Sequence, residues 1–308
     1  MAAPGFRSGF VCFVGRPNAG KSTLTNALVG QKIAITSDRP QTTRHTVRGI
    51  VHRPDGQLVV VDTPGLHRPR TLLGARLNDL VAGTLPEVDV VGLCLPAPDR
   101  IGPGDRWIAT QLAALPDGVA RVAVVTKTDL AAPGRIVEQL AGAVSLADQL
   151  GFAFDEVVPV SAVSGEQVSL LADLLMALLP EGPALYPEGE RTDTPQALAV
   201  AELVREAALA GAREELPHSI AVVVEEMVPR ADRDAEHPLL DVRCTLYVER
   251  DSQKGIVIGH GGARLAETGT RARAGIEALL GTRVHLDLHV KVAADWQRDP
   301  RALNRLGF

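Results

Sequence analysis

Residues 15 to 22 read GRPNAGKS, which fits the pattern G-x-x-x-x-G-K-[ST]. In that pattern glycines let backbone N–H groups close around phosphate oxygens. Lys21 would reach the β- and γ-phosphates and the Ser22 hydroxyl would ligate Mg²⁺. The loop follows the apolar run GFVCFVG and precedes a helical pattern, so a helix N-terminus adds positive potential at the phosphate. A glycine turn with a surface lysine is the bland alternative, and the strand-loop-helix context disfavours it. Further on, VVVDTPG places Asp62 at a strand end, where it can hold Mg²⁺ through water, and Gly65 where its N–H can sense a γ-phosphate. An ATPase more often shows a second acid straight after that aspartate, whereas Thr63 follows here.

The base is read from two later motifs. In TKTD, residues 126 to 129, Asp129 offers the two acceptors that match guanine's paired N–H donors, and Lys127 can lie along the base. SAVSG, residues 161 to 165, can offer backbone N–H to guanine O6. The expected nucleotide set is therefore Gly15, Arg16, Pro17, Asn18, Ala19, Gly20, Lys21, Ser22 and Thr23, with Asp62, Thr63, Pro64 and Gly65. Thr126, Lys127, Thr128, Asp129, Ser161 and Ala162 complete it. GTP is the expected ligand.

A second glycine loop lies in KGIVIGHGGARL, residues 254 to 265. No strand precedes it, so it is neither a Rossmann turn nor a Walker loop. Glycines flanking two residues between helices fit the GXXG loop of KH domains, which lets a single-stranded backbone approach closely. Gly259, His260, Gly261 and Gly262 form the loop, Lys254 and Arg264 supply phosphate charge, and Ile256, Val257 and Ile258 supply an apolar wall facing the bases. A plain helix cap and turn is the alternative. His285, Asp287 and His289 alternate on one strand face, which reads as an ordinary half-exposed strand and not a metal site.

These motifs need a scaffold, and the chain of 308 residues is long enough for two domains. Its 45% hydrophobic and 22% charged residues are those of an ordinary soluble protein, with no apolar run near the ~20 residues of a membrane helix. Cys12, Cys94 and Cys244 show no metal-ligand spacing and read as core residues of a reducing compartment. Net charge is −5, yet residues 251 to 308 carry nine Lys/Arg against six Asp/Glu, a weak hint of an anionic partner.

Five near-continuous Val/Leu runs, GFVCFVG, QLVVVDTPG, DVVGLCLPA, RVAVVTKTD and EVVPVSA, alternate with helical patterns. They predict an α/β domain with a mostly parallel sheet over residues 1 to 180. The proline-rich stretch PEGPALYPEGERTDTPQ reads as a linker or surface strap at about 181 to 195. Beyond it, residues 196 to 308 follow the order α-β-β-α-α-β, a small α+β domain of the type II KH arrangement, with the helix opening after Thr194 as N-cap.

The ordered motifs GRPNAGKS, QTTRH, DTPG, TKTD and SA resemble the G domain of the translation-factor-related small GTPases. That resemblance implies that a switch threonine caps Mg²⁺ in the GTP state, with Thr43, just before Arg44, preferred over Thr42. Lys21, Thr43, Asp62 and Gly65 are then the expected catalytic set, and Ser22, Thr43 and Asp62 the Mg²⁺ site. Two positions depart from the pattern. Thr126 stands where the guanine motif usually has Asn, and keeps one hydroxyl for a hydrogen bond. Leu66 stands where Ras-like enzymes have a water-orienting glutamine, and His67 after it reads as a solvated switch residue. Related GTPases with a hydrophobic residue there recruit K⁺ through the P-loop asparagine, which Asn18 matches. Slow intrinsic hydrolysis with K⁺ as a second cofactor is the expectation.

One G domain followed by one KH domain resembles the Era family of bacterial GTPases over nearly the whole chain, including EELPHSIAVVVEEM and the tail VHLDLHVKVAADWQRDPRALNRLGF. The resemblance implies a GTP-hydrolysing switch whose KH domain binds the 3′ end of 16S ribosomal RNA. It also implies a role in maturation of the 30S ribosomal subunit, GTP favouring the RNA-bound state, and a cytoplasmic protein with peripheral association at the inner membrane. A monomer is expected. A non-catalytic RNA-binding scaffold that merely holds nucleotide is the competing reading. An ATP-dependent RNA enzyme, resting on the P-loop alone, is the third.

Overall fold

The computed structural model describes residues 5–37, 42–66, 69, 71–210, 219–230 and 238–308. The chain forms two compact units, in the main the residues up to Asp193 and Thr194–Phe308.

The first unit is built on a six-stranded sheet. β1 (Arg7–Val14), β2 (Val47–Arg53), β3 (Gly56–Asp62), β4 (Val90–Pro96), β5 (Ala120–Thr126) and β6 (Glu156–Pro159) lie in the order β2-β3-β1-β4-β5-β6. Every pairing is parallel except β2 with β3. The helices are α1 (Lys21–Val29), α2 (Leu72–Thr84), α3 (Pro103–Ala113), α4 (Pro133–Leu150) and α5 (Val168–Leu178). Alternation along β1 sends Val11 and Phe13 into one apolar cluster and Cys12 and Val14 into another. Both sheet faces are therefore covered, which is why successive positions such as Val11–Val14, Leu58–Val61 and Val122–Val125 are all apolar. β2 escapes a reading by apolar runs because Arg48, His52 and Arg53 interrupt it; it is joined to β3 by the two-residue turn Pro54–Asp55.

The proline-rich stretch is bound to this unit through Asp193. Antiparallel bridges join Arg7 with Glu181 and Gly49 with Thr192, and Ile50 N–H donates to Arg191 O at 2.9 Å. Gln57, 1% exposed, is the central clamp. Its Oε1 accepts from Leu185 N (2.6 Å) and Tyr186 N (2.9 Å), while Nε2 donates to Tyr186 O (2.8 Å).

The second unit comprises α6 (Gln196–Ala210), β7 (Ala221–Pro229), β8 (Leu239–Val248), α7 (Asp251–Ile258), α8 (Ala263–Leu280), β9 (Arg283–Val292) and α9 (Pro300–Arg305). The sheet runs β7-β8-β9, antiparallel then parallel, with a bulge between Val224 and Glu226. One core gathers Val200 and Val204 of α6, Val242, Cys244 and Leu246 of β8, and Ala272 and Ile276 of α8. In the tail, Trp296 is fully buried, donates from Nε1 to Ser219 O (3.1 Å) and stacks on Phe308 at 5.5 Å. The short helix α9 follows, capped by Asp299 accepting from Arg301 N. Among the described residues no helix is long and apolar enough to cross a membrane.

Candidate functional site

The first glycine loop joins the end of β1 to α1 at the C-terminal edge of the parallel strands, where open α/β sheets bind ligands. Gly15 lies so close to β4 that a Cβ would stand 2.9 Å from Cys94 O. Asn18 (φ +63°) and Gly20 (φ +90°) turn the chain through left-handed conformations into the helix. Lys21 is buried, and its ammonium arches back to donate to Gly15 O and Arg16 O, both at 3.1 Å. Burial pulls its pKa below that of an ordinary lysine. The Arg16 side chain is turned to Asp105 Oδ1 (2.7 Å) and Asp99 Oδ2 (3.3 Å) on the α3 side. Thr23 is half-buried in the first turn of α1.

Ser22, Thr43 and Asp62 converge. Ser22 Oγ donates to Asp62 Oδ2 at 2.7 Å and lies 2.9 Å from Thr43 Oγ1, which is itself 3.3 Å from the same carboxylate oxygen. Asp62 is fully buried, and burial raises its pKa to about 6 against the opposing pull of Ser22 and Lys21. Its other oxygen, Oδ1, is buried without a hydrogen-bond partner among the described residues. A buried carboxylate with one orphaned oxygen beside two hydroxyls is a hard-oxygen donor set, which suits Mg²⁺. Of the two candidate threonines, Thr43 is the one whose hydroxyl joins Ser22.

The residues after Asp62 divide their tasks. Thr63 is buried and turns its hydroxyl to Phe13 O (3.2 Å), so its side chain serves the sheet. Pro64 is buried as well. Gly65 rests on the first loop, where a Cβ would meet Pro17 N at 2.9 Å. Leu66 N–H donates to Gly15 O (3.3 Å) and its side chain packs in the core cluster with Val14 and Val61. His67 lies outside the described residues.

At the end of β5, Thr126 Oγ1 donates to Ala19 O at 2.7 Å, tying the guanine motif to the phosphate loop. Lys127 takes φ +58°, and its Cε lies 3.9 Å from where a Cβ on Gly20 would stand. Thr128 is buried, whereas Asp129 is exposed with Oδ1 fixed by Ser161 Oγ at 2.6 Å. Ser164 N–H donates in turn to Ser161 Oγ (3.1 Å), and Ala162 packs on the core.

The second loop sits between α7 and α8, as its spacing requires. Gly259, Gly261 and Gly262 all have positive φ (+73°, +55°, +82°), and a Cβ on Gly259 would stand 2.7 Å from Arg264 Cβ. Only glycine fits there. His260 and Gly261 are exposed at the tip, and the Lys254 ammonium has no ion-pair or hydrogen-bond partner among the described residues. The expected apolar wall is corrected by helix periodicity. Val257 is 4% exposed and Ile258 packs against the core, leaving only Ile256, at 46%, facing outward. A groove of about 370 Å³ lies between α8 and β9, lined by Gly262, Leu265, Ala266, Gly269, Thr270, Arg273, Leu286 and Leu288. Sequence reasoning missed all of these but Gly262. Small residues at the N-cap, 262, and at 266 and 269 of α8 are the signal that could have found them. His289 Nε2 and Asp287 Oδ2 form an exposed pair at 3.0 Å on β9.

Comparison with known proteins agrees with both halves. Residues 10–127 match the 50S ribosome-binding GTPase family and residues 215–297 the KH domain family. GTPase Era of Streptomyces coelicolor is 67% identical over 302 residues, covering 98% of this chain and 95% of that protein. GTPase Era of Nocardioides sp. is 66% identical over 305 residues, covering 99% and 97%. Among solved structures, Era in complex with MgGDPNP and nucleotides 1506–1542 of 16S ribosomal RNA matches with a TM-score of 0.91 at 35% identity, covering 98% of this chain and 99% of that one. A point variant of Aquifex aeolicus Era bound to GDP·AlF4⁻ matches at 0.90 and 34%, with the same coverage. With a P-loop G domain and a KH domain in succession, and identity running through both, this chain belongs to the Era family of GTPases.

Proposed function

We propose that the chain is a GTP-driven switch whose KH domain binds the 3′ end of 16S ribosomal RNA during assembly of the 30S subunit. The observation that carries the nucleotide half is the convergence of Ser22, Thr43 and Asp62 beside the buried Lys21 ammonium. Ser22 and Thr43 would ligate Mg²⁺, with Asp62 holding it through water, and the ion would neutralise charge on the β- and γ-phosphates. Lys21 would swing from the Gly15 and Arg16 carbonyls to the phosphates, and the Gly65 N–H would sense the γ-phosphate. Asp129, oriented by Ser161, would accept from guanine, with Lys127 along the base. Catalysis then rests on positioning and preorganised charge, because the buried Leu66 offers no group to orient water. Asn18, exposed at the crest of the loop, is the ligand this reading assigns to K⁺. Equal turnover in K⁺ and Na⁺ would remove that assignment.

In the KH unit, the GXXG turn would bring a phosphate backbone against the N–H groups of Gly261 and Gly262 while Lys254 and Arg264 balance its charge. Bases would lie in the groove between α8 and β9, whose floor is Leu286 and Leu288. The test is binding of a labelled oligonucleotide carrying the 16S 3′ end, with a non-hydrolysable GTP analogue or with GDP, beside a Gly262→Asp variant. Tighter binding with the analogue, lost in the variant, is expected. Binding indifferent to nucleotide removes the switch and keeps the RNA site; absence of binding removes both.

A further inference from the structure

We infer that Asp105 is a positioning residue for nucleotide binding: through Arg16 it clamps the phosphate loop to α3. The inference rests on the reading of residues 15 to 22 as that loop. Asp105 stands in the first turn of α3 and is fully buried. A carboxylate in such a place costs free energy unless it is paired and hydrogen-bonded. Oδ2 accepts from Gly102 N at 2.8 Å, reaching back to cap the helix, and Oδ1 accepts from Arg16 Nε at 2.7 Å. A neutral amide caps a helix from this position too, so the cap alone does not call for a charge. Arg16 does, and among the described residues it is the cation that meets Asp105.

The Arg16 guanidinium makes a second, outer contact with Asp99 Oδ2 at 3.3 Å. Its stem lies on the first turn of α3, where a Cβ on Gly104 would stand 3.1 Å from Arg16 Cδ. The α3 side of the clamp is itself fixed. Arg135 of α4 donates to Asp99 O, Gln139 Nε2 donates to Pro96 O (3.2 Å), and Ala97 N–H donates to Thr126 O (2.7 Å). The loop has other ties: Gly15 O accepts from Lys21 and Leu66 N, Arg16 O from Lys21 and Ala19 N, and Ala19 O from Thr126. These keep the loop folded, but the Lys21 bonds are given up when its ammonium turns to the phosphates. Of the contacts named, residue 16 then keeps one bond within the loop, from Ala19 N, and the side-chain clamp to Asp105 and Asp99. Asp105 therefore matters most with nucleotide bound, and for GDP and GTP alike, since both carry the β-phosphate that Lys21 meets.

Asp105→Asn separates the two duties. Its amide oxygen still accepts from Gly102 N, while its NH₂ group faces Arg16 Nε, donor against donor. The experiment measures affinity of the full chain for fluorescent GDP and a non-hydrolysable GTP analogue, both with Mg²⁺, and the single-turnover hydrolysis rate at saturating GTP. Wild type, Asp105→Asn, Arg16→Ala, the double variant and Lys21→Ala are compared. We expect Asp105→Asn to weaken both nucleotides about tenfold, with the saturating rate changed less than about twofold. Arg16→Ala should lose a similar amount, and the double variant no more than either, because each change removes the same contact. Asp105→Asn affinities within about twofold of wild type, or losses that multiply to about a hundredfold in the double variant, overturn the inference and leave Asp105 a helix cap. Should Asp105→Asn fail to fold, Arg16→Ala carries the test: a tenfold loss supports the clamp, and wild-type affinity for both nucleotides overturns it. If Lys21→Ala leaves both affinities unchanged, the reading of the phosphate loop fails instead, and the two failures stay distinct.

Discussion

Replacing Thr126 by valine should expose how much the guanine motif contributes to shaping the phosphate loop. Thr126 is 4% exposed, and its hydroxyl donates at 2.7 Å to the carbonyl of the fully buried Ala19. Valine keeps nearly the same shape, removes the donor and leaves the Ala19 carbonyl buried without it. A buried acceptor left in that condition costs about 1–3 kcal/mol. In a unit of roughly this size each kcal/mol lowers Tm by about 2–4 °C, so a drop of roughly 2–12 °C is expected. Ala19 is followed at once by Gly20 and Lys21, so part of the loss should reappear in binding, as GDP affinity reduced by up to about tenfold. Thermal melts with and without GDP, together with GDP titrations, would be run on wild type, Thr126→Val and Thr126→Ser. Serine retains the donor and should recover most of both losses. If serine loses as much as valine, the hydroxyl alone does not account for the loss and the reasoning fails. If valine loses nothing, the tether has no energetic role.

Other outcomes follow from the same geometry. Gly259→Ala should destabilise the KH unit by roughly 1–3 kcal/mol and abolish RNA binding, since a Cβ would stand 2.7 Å from Arg264 Cβ at φ +73°; a stable variant that still binds RNA refutes it. Burial raises Cys12, Cys94 and Cys244 thiols to about 12, so alkylation at pH 8 should be slow until denaturant is added; mass spectrometry would reveal fast labelling of any one as a contradiction. In hydrogen exchange, the Leu185 and Tyr186 amides should be protected, and Gln57→Ala should release both; protection that survives the substitution would mean another acceptor holds them.

Much of this molecule is legible in residue order because short-range physics dictates it. The apolar runs that became β1, β3, β4, β5 and β6 are buried on both faces, so nothing dilutes their signal. The loop glycines announce themselves because their backbone conformations exclude other residues, as at Gly20, Gly259 and Gly262. What stayed hidden depends on distant partners. β2 is a strand through its pairing with β3, not through its own composition. The groove beside the second loop needs Leu286 and Leu288 from β9 brought against α8, a juxtaposition that no local pattern encodes. The wall expected from Ile256, Val257 and Ile258 is broken at its middle, because a helix turns by about 100° per residue and sends Val257 inward. Arg16 and Thr63, though they sit inside nucleotide motifs, direct their side chains to Asp105 and to Phe13 O, and only coordinates separate a motif's backbone from its side chains.

The stretch clamped by Gln57 has a consequence for where this protein can be divided. β2 is the outermost strand of its sheet, and an outermost strand offers unpaired N–H and C=O groups to any other strand that meets it. Here residues 191 and 192 lie along it, with Ile50 N–H already donating to Arg191 O. A chain shortened at Pro180 would strip that cover and leave the Gln57 amide without the Leu185 and Tyr186 backbone groups that it bonds. Such a fragment would be prone to associate edge to edge with its own copies. One ending at Asp193 would keep the seam closed, so residues 181–193, which look like a spacer, are better counted as the sheet's own defence against self-association.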